Sequence, residues 1–357
     1  MVNNIKNVQS VTIGFDSILS IDSFVKTNFK NNPLVLFFID DYFKNKNTLS
    51  KYLNKIHNKE IYYIETKVEP TTTYVNNIND QIKNLKPDLL VGIGGGITLD
   101  VTKAISNLLT NPGKSEDYQG WNLVKNPGVF KVGIPTISGT GSESSKTCVM
   151  TNYKSGLKLG MNSDYTVFDH IILDPSLTKT VDKNQFFYTG MDTYIHCIES
   201  LSGSHRNAIG DSYSLQAIEL CKKVFNSKNM MSNENRMNLM VASYFGGCAI
   251  ATSFVGVIHP LSAGLSVVLG THHCISNCIT MQAVEEFYPK YFVEFWNFAY
   301  KQKINIPKGI CNKLTDSEFK KLYDATIIHE KPLKNALGEN YKKILTLEKT
   351  TELFKMM

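Results

Sequence analysis

At 357 residues the chain is longer than one compact core usually holds, so two domains are expected. Its 42% hydrophobic and 20% charged residues fit an ordinary soluble globular protein. The net charge of +6 comes almost wholly from dispersed lysines, Arg206 and Arg236 being the only arginines; the clustered basic stripe with interleaved aromatics that nucleic-acid binding needs is missing.

The first residues, Met1 to Lys6, lack the charged start and apolar run of a secretory signal. Leu34 to Ile39 is an unbroken run of strand formers that ends at Asp40-Asp41. Thr48 to Asn58 reads as a helix, Ile61 to Ile64 as a second strand, and Thr73 to Leu85 as a second helix. Leu89 to Ile93 runs straight into Gly94-Gly95-Gly96, with a helix expected over Leu99 to Leu109. Val132 to Pro135 leads into another glycine turn. Thr147 to Asn152 and Lys158 to Met161 read as an antiparallel excursion, and Ile171 to Leu173 closes this half at Asp174-Pro175. Strand alternating with helix predicts a doubly wound, mainly parallel α/β sheet of the Rossmann-like kind. Beyond it the strand-like runs give way to long 3.6-residue periods, as in Tyr213 to Val224 and Met237 to Ala251, so the second half is expected to be helical. The domains are therefore expected at 1–178 and 179–357. Phe254 to Gly270 is the most apolar stretch, but it holds His259 and Pro260 and is shorter than the ~20 residues of a membrane span. Seven cysteines, an odd number without a CxxC pair, read as reduced buried thiols. A cytoplasmic, membrane-free protein is expected.

Gly94-Gly95-Gly96 lies between a strand and a helix, where backbone N–H groups and the helix dipole attract a pyrophosphate. It departs from the usual dinucleotide fingerprint, because Ile97 stands where a third spaced glycine belongs. Gly113-Lys114-Ser115 is no Walker A loop, since Leu108 occupies its required glycine position. A second glycine turn, Pro135 to Glu143, also follows a strand, and two such loops on neighbouring strands make a dinucleotide crevice. Asp40, at a strand end, is either a ribose acceptor or an ordinary turn residue.

Asp192 and His196 are four apart, on one face of a helix and within reach of one ion. A lone pair of this kind is more often a hydrogen bond than a metal site. His259 in an apolar stretch and His272-His273 beyond Gly270 change that balance, because three imidazoles and a carboxylate complete an N₃O shell.

The spacing of Asp192, His196, His259 and His273, with the two glycine loops and the half-and-half architecture, resembles the iron-containing (group III) alcohol dehydrogenases, which share their fold with dehydroquinate synthases. The resemblance implies that these four side chains hold a divalent metal, Fe²⁺ by family habit with Zn²⁺ suited as well, and that NAD(P) is the second cofactor. It assigns nucleotide contacts to Asp40, Gly94, Gly95, Gly96, Asp100, Thr136, Ser138, Thr140 and Lys158. Tyr118 to Trp121, Leu159 to Asp169, Phe187 to Asp192 and Gly264 to Gly270 are similar to the branch that oxidises C8 of 3-deoxy-D-manno-octulosonate (Kdo). That likeness implies a sugar-acid substrate and a pathway link to a pyridoxal-phosphate aminotransferase serving lipopolysaccharide. The expected chemistry is metal-assisted hydride transfer in a homodimer, dioxygen remaining open as an acceptor.

Two departures stand out. Family members carry a relay histidine where this chain has Ala263, which leaves water or His272 for that task. Cys274 replaces the glycine after the last ligand. His205-Arg206 is the candidate for an acidic substrate group, with a surface loop as the alternative. Phe287-Tyr288 and Tyr291 to Tyr300 read as core packing before a dimer face. The competing readings are a dehydrogenase of another alcohol, polyol or sugar phosphate, a lyase-type synthase on the same fold, and an inactive metal-binding scaffold.

Overall fold

The computed structural model describes residues 4–357. The chain forms two compact units. One holds the residues up to Ile137 with Ser142–Ser155 and Leu159–Thr180; the other holds Ser138–Gly141, Gly156–Lys158 and Val181–Met357. Two short segments of the first half thus belong to the second unit, which a single cut at 178/179 does not capture.

The strands are β1 Ser10–Ile13, β2 Val35–Asp40, β3 Lys59–Ile64, β4 Leu89–Gly94, β5 Gly120–Trp121, β6 Lys131–Pro135, β7 Thr147–Asn152, β8 Leu157–Asn162 and β9 His170–Leu173. Six form one parallel sheet in the order β1-β9-β6-β4-β2-β3. The central strands are apolar at nearly every position because both faces are covered. Val35, Phe37, Ile39, Leu89, Val91 and Ile93 pack on one side with Ile18, Ile21 and Leu53. Leu36, Phe38 and Leu90 pack on the other with Val75, Val101 and Ile105. After β2 the chain moves outward to β3; after β4 it moves the opposite way to β6 and β9. The winding therefore reverses between β2 and β4, the place where such sheets bind ligands at strand carboxyl ends. A small sheet, β5-β8-β7, contains the expected excursion; residues 153–156 are too short a link for a parallel crossover, so β7 and β8 run antiparallel. The helix expected over Thr48–Asn58 is only Ser50–Leu53, since the chain must turn to enter β3 at Lys59.

In the second unit the helix Lys183–Ser202 starts where Asp182 accepts the N–H groups of Asn184 and Gln185 at 2.9 and 3.0 Å. Every residue from Phe186 to Leu201 is buried, so the helix is central, and its polar side chains must find partners inside. The helix Asn233–Ser253 stops at Phe254, whose φ of 61° and ψ of 170° are rare for a side-chain-bearing residue. The chain bends by 105° into Ile258–Leu269. Pro260 sits in the first turn of that helix, where no N–H is needed. Gly270, left-handed at φ 68°, ends it and returns the chain to His273–Thr280. That out-and-back path accounts for the fourteen-residue step between His259 and His273. Phe295 and Phe298 of the aromatic stretch are core residues, and buried Tyr288 braces the bend, its hydroxyl accepting Val257 N–H at 3.2 Å. Among the described residues no single helix is long and apolar enough to cross a membrane.

Candidate functional site

Asp192 and His196 project from one face of the central helix Lys183–Ser202, His259 from the first turn of the helix Ile258–Leu269, and His273 from the first turn of the helix His273–Thr280. One ligand atom from each lies within 4.8 Å of the other three. The Nε2 atoms of His196, His259 and His273 stand 3.6, 3.5 and 3.8 Å from Asp192 Oδ1. Donors bound tetrahedrally at about 2.0–2.2 Å stand about 3.4 Å apart, so the spacing suits one ion of zinc or ferrous size. The donor set fits too: one carboxylate and three imidazoles, brought together from the helices Lys183–Ser202, Ile258–Leu269 and His273–Thr280.

Electrostatics set the protonation of the ligands, and an ion must displace the proton of His259. Burial alone would raise the Asp192 carboxyl, but the three imidazoles outweigh it and hold the group far below the usual carboxylate range. Burial pushes His196 down to about 3, so it stands neutral with a free lone pair. Burial would also lower His259; Glu199 and Asp192 overcome it and raise that imidazole to about 9 without an ion.

Two residues behind the ligands escaped the sequence reading. Glu199, fully buried, accepts His259 Nδ1–H in a short contact and Ile258 N–H at 2.6 Å. This carboxylate–histidine pair fixes the tautomer and aims Nε2 at the site. Asn277 Nδ2–H donates to Asp192 Oδ1 at 2.6 Å and lies 3.3 Å from Nε2 of both His259 and His273, a positively polarised group aimed among the donors. Helical spacing would have found both: Glu199 follows Asp192 by seven, and Asn277 follows His273 by four. Cys274 now has a physical account, for its thiol donates weakly to Asp192 Oδ2 at 3.5 Å.

In the first unit, Asp40 ends β2 beside Gly94 and Gly95, which end the neighbouring β4 and open the helix Gly96–Leu108. Asp40 accepts Tyr42 N–H and Thr66 Oγ1–H at 3.0 Å each. Burial raises its carboxyl above the ordinary value against those hydrogen bonds. A Cβ at Gly94 would stand 2.5 Å from Thr98 Oγ1 and 3.0 Å from Asp40 Cβ, so only glycine leaves the loop close to the aspartate. Thr136 N–H donates to Gly94 O at 3.0 Å, tying the second loop to the first. Asp100 is a brace: its oxygens take Ser142 Oγ–H at 2.5 Å and Val149 N–H at 2.9 Å, and buried Lys103 lies 3.2 Å away.

The loop tip Ser138–Gly141 packs within the second unit. Gly139 N–H donates to Ser243 Oγ at 2.8 Å, and its carbonyl accepts Thr193 Oγ1–H at 2.7 Å. Ser138 is buried and Thr140 partly so. Lys158, also in this unit, is buried. His272 is not part of the ligand cluster: it is an exposed helix cap whose carbonyl accepts Ser276 N–H at 2.9 Å. Arg206 is unsuited to an acidic substrate, being 53% exposed with its Nε 2.9 Å from both oxygens of Asp211. His205 N–H donates to Asn335 Oδ1 at 2.9 Å and its ring stands edge-on to Phe254, as in a structural corner.

Two family models match the chain: iron-containing alcohol dehydrogenase over residues 9–175, and the carboxyl-terminal part of the Fe-containing alcohol dehydrogenase family over residues 186–325. It is 36% identical over 210 residues to sulfoacetaldehyde reductase of Bilophila wadsworthia, covering 57% of this chain and 54% of that protein. To NAD-dependent methanol dehydrogenase of Bacillus methanolicus it is 32% identical, covering 61% and 58%. The matches span little more than half the length of these relatives. In fold it is similar to sulfoacetaldehyde reductase of Bifidobacterium kashiwanohense, solved in complex with NAD⁺ (TM-score 0.82, 20% identity, 99% and 98% of the two chains). It also resembles alcohol dehydrogenase from Oenococcus oeni (TM-score 0.87, 18% identity, 99% and 100%). With both family models matched in sequence order over most of the chain, and the quartet assembled within the second, the chain belongs to the iron-containing alcohol dehydrogenase family.

Proposed function

We propose that the chain is a metal-dependent oxidoreductase that interconverts an alcohol and its aldehyde with a nicotinamide cofactor. The observation that carries this is the convergence of three Nε2 atoms on Asp192 Oδ1, with Glu199 behind His259. The iron-containing alcohol dehydrogenases use NAD(P) and a divalent metal. A divalent ion held by Asp192, His196, His259 and His273 supplies Lewis acidity toward a hydroxyl or carbonyl oxygen, Fe²⁺ by family habit and Zn²⁺ by donor type. Glu199 keeps His259 oriented and Cys274 holds Asp192 Oδ2, while the Asn277 amide would have to leave Oδ1 free for the ion. Asp40, Gly94–Gly96 and Thr136, at the reversal point of the sheet, are the proposed nucleotide contacts of the first unit.

For the substrate we propose an alcohol or aldehyde carrying an acidic group. Segment likenesses such as Leu159 to Asp169 favour the C8 hydroxyl of Kdo, and the 36%-identical relative is named for an aldehyde bearing a sulfonate. The aminotransferase link and the homodimer follow only from that likeness. The test is purified protein with Kdo and either NAD⁺ or NADP⁺, following absorbance of the reduced nicotinamide alongside elemental analysis. Reduced nicotinamide with one metal per chain is the expected result; aldehyde formed without it would reject the nicotinamide assignment.

Gly94→Ala is expected to weaken NAD⁺ binding roughly tenfold or more, because the new methyl must displace Thr98 and Asp40. Calorimetric titration measures this, and metal content should stay unchanged. An unaltered affinity would remove this loop from the nucleotide site.

A further inference from the structure

Asn277 stands four residues after His273 in the helix His273–Thr280, on the same face, and is fully buried. The two arms of its amide have opposite character. Nδ2 lies 2.6 Å from Asp192 Oδ1 and 3.3 Å from Nε2 of both His259 and His273, so it faces three of the four donors at once. Oδ1, on the other arm, is buried and has no hydrogen-bond partner. The side chain thus turns its donor end to the quartet and leaves its acceptor oxygen with nothing to bind.

An ion changes what this position requires. Asp192, His259 and His273 direct lone pairs to it, and an N–H group among them points its positive end at a cation. Withdrawal of the whole side chain needs room, and Asn277 is 0% exposed. A half-turn about the Cβ–Cγ bond needs almost none, because amide oxygen and nitrogen are nearly alike in size and this torsion has broad, roughly two-fold wells. The turn breaks the hydrogen bond from Nδ2 to Asp192 Oδ1 just where a cation takes over the countercharge of that carboxylate. Oδ1 gives up no bond, since it has none.

We infer that Asn277 is a fifth metal donor: in the loaded protein its amide is turned over and Oδ1 faces the ion beside Asp192 and the two imidazoles. The inference rests on the metal-site reading and bears on which ion the site prefers. A neutral carbonyl oxygen added to one carboxylate and three imidazoles makes an N₃O₂ shell. Ferrous iron accommodates such a shell more readily than Zn²⁺, whose protein sites are mostly four-coordinate. Asn277 therefore biases the site toward Fe²⁺.

The test uses the full-length protein loaded with Co²⁺, whose visible absorption weakens as coordination rises from four to five. A crystal structure of the loaded wild type should place one amide atom of Asn277 about 2.2 Å from the ion. In solution, Asn277→Leu should show visible bands several-fold stronger than wild type. Asn277→Asp, which keeps an oxygen in that place, should resemble wild type. Equilibrated with Fe²⁺ and Zn²⁺ together without oxygen, Asn277→Leu should bind them in a ratio shifted about tenfold toward zinc, read by elemental analysis. An amide that still donates to Asp192 and stands beyond bonding distance of the ion overturns the proposal, as do equal cobalt spectra for wild type and Asn277→Leu. Wild-type protein that takes up none of the three ions rejects the metal-site reading and the proposal together; an ion bound without Asn277 rejects the proposal alone.

Discussion

Asp192→Ala protein is expected to purify without its ion and to lose turnover by about three orders of magnitude or more. Asp192 is the only anion among the four donors and is fully buried, with three Nε2 atoms 3.5–3.8 Å from one of its oxygens. Without it, the imidazoles lose the charge that gathers them. His196 and His273 lose their nearest countercharge, while His259 keeps Glu199. A shell of three loosely oriented neutral donors binds a divalent cation far less well than an N₃O shell. Glu199→Gln gives the graded comparison. The amide oxygen can still accept His259 Nδ1–H but carries no charge, so metal affinity should fall about 10–100-fold, and excess metal should restore turnover. Elemental analysis after dialysis, with activity measured across added Fe²⁺ and Zn²⁺, reads both variants. A full complement of metal in Asp192→Ala would remove this residue from the shell and with it the proposed site.

The sequence made some parts of this molecule legible and hid others for physical reasons. β2, β4 and β6 stand out because strands covered on both faces are apolar without interruption. β1, Ser-Val-Thr-Ile, does not, since it lies at the sheet edge with Val11 39% and Ile13 48% exposed. β5 is two residues long and carries no periodic signal. The quartet was legible because its residue types are rare in apolar helices and their spacing is distinctive. Glu199 lies on the ligand face of the same helix, seven residues after Asp192, but its partner His259 is sixty residues on and the fold alone supplies that pairing. His272 and Arg206 were chosen for chemistry and proximity in sequence; one faces solvent and the other already holds Asp211.

The glycine of the second loop leads to the other large expected effect. Gly139→Ala should destabilise the protein by about 3 kcal/mol or more and lower its metal content. Gly139 has φ 143°, and a Cβ there would stand 1.6 Å from Thr189 O and 2.1 Å from the Thr189 carbonyl carbon. Those are backbone atoms of the helix that bears Asp192, and no rotamer change can relieve the overlap. Either the loop withdraws, giving up the Ser243 and Thr193 hydrogen bonds at 2.8 and 2.7 Å, or the helix shifts at the turn preceding Asp192. Two buried hydrogen bonds at about 1 kcal/mol each, with backbone strain added, reach the stated magnitude. Gly156→Ala is the matched control. It too has positive φ, 69°, but nothing lies within 4 Å of the added methyl, so the cost should be about 1 kcal/mol from conformation alone. Urea midpoints and metal content measured together separate the two effects. If Gly139→Ala unfolds no earlier than Gly156→Ala, the tight seat on Thr189 is wrong. If instead it melts early and sheds its ion, the glycine that reads in sequence as part of a nucleotide loop is needed because it seats that loop against the helix carrying Asp192.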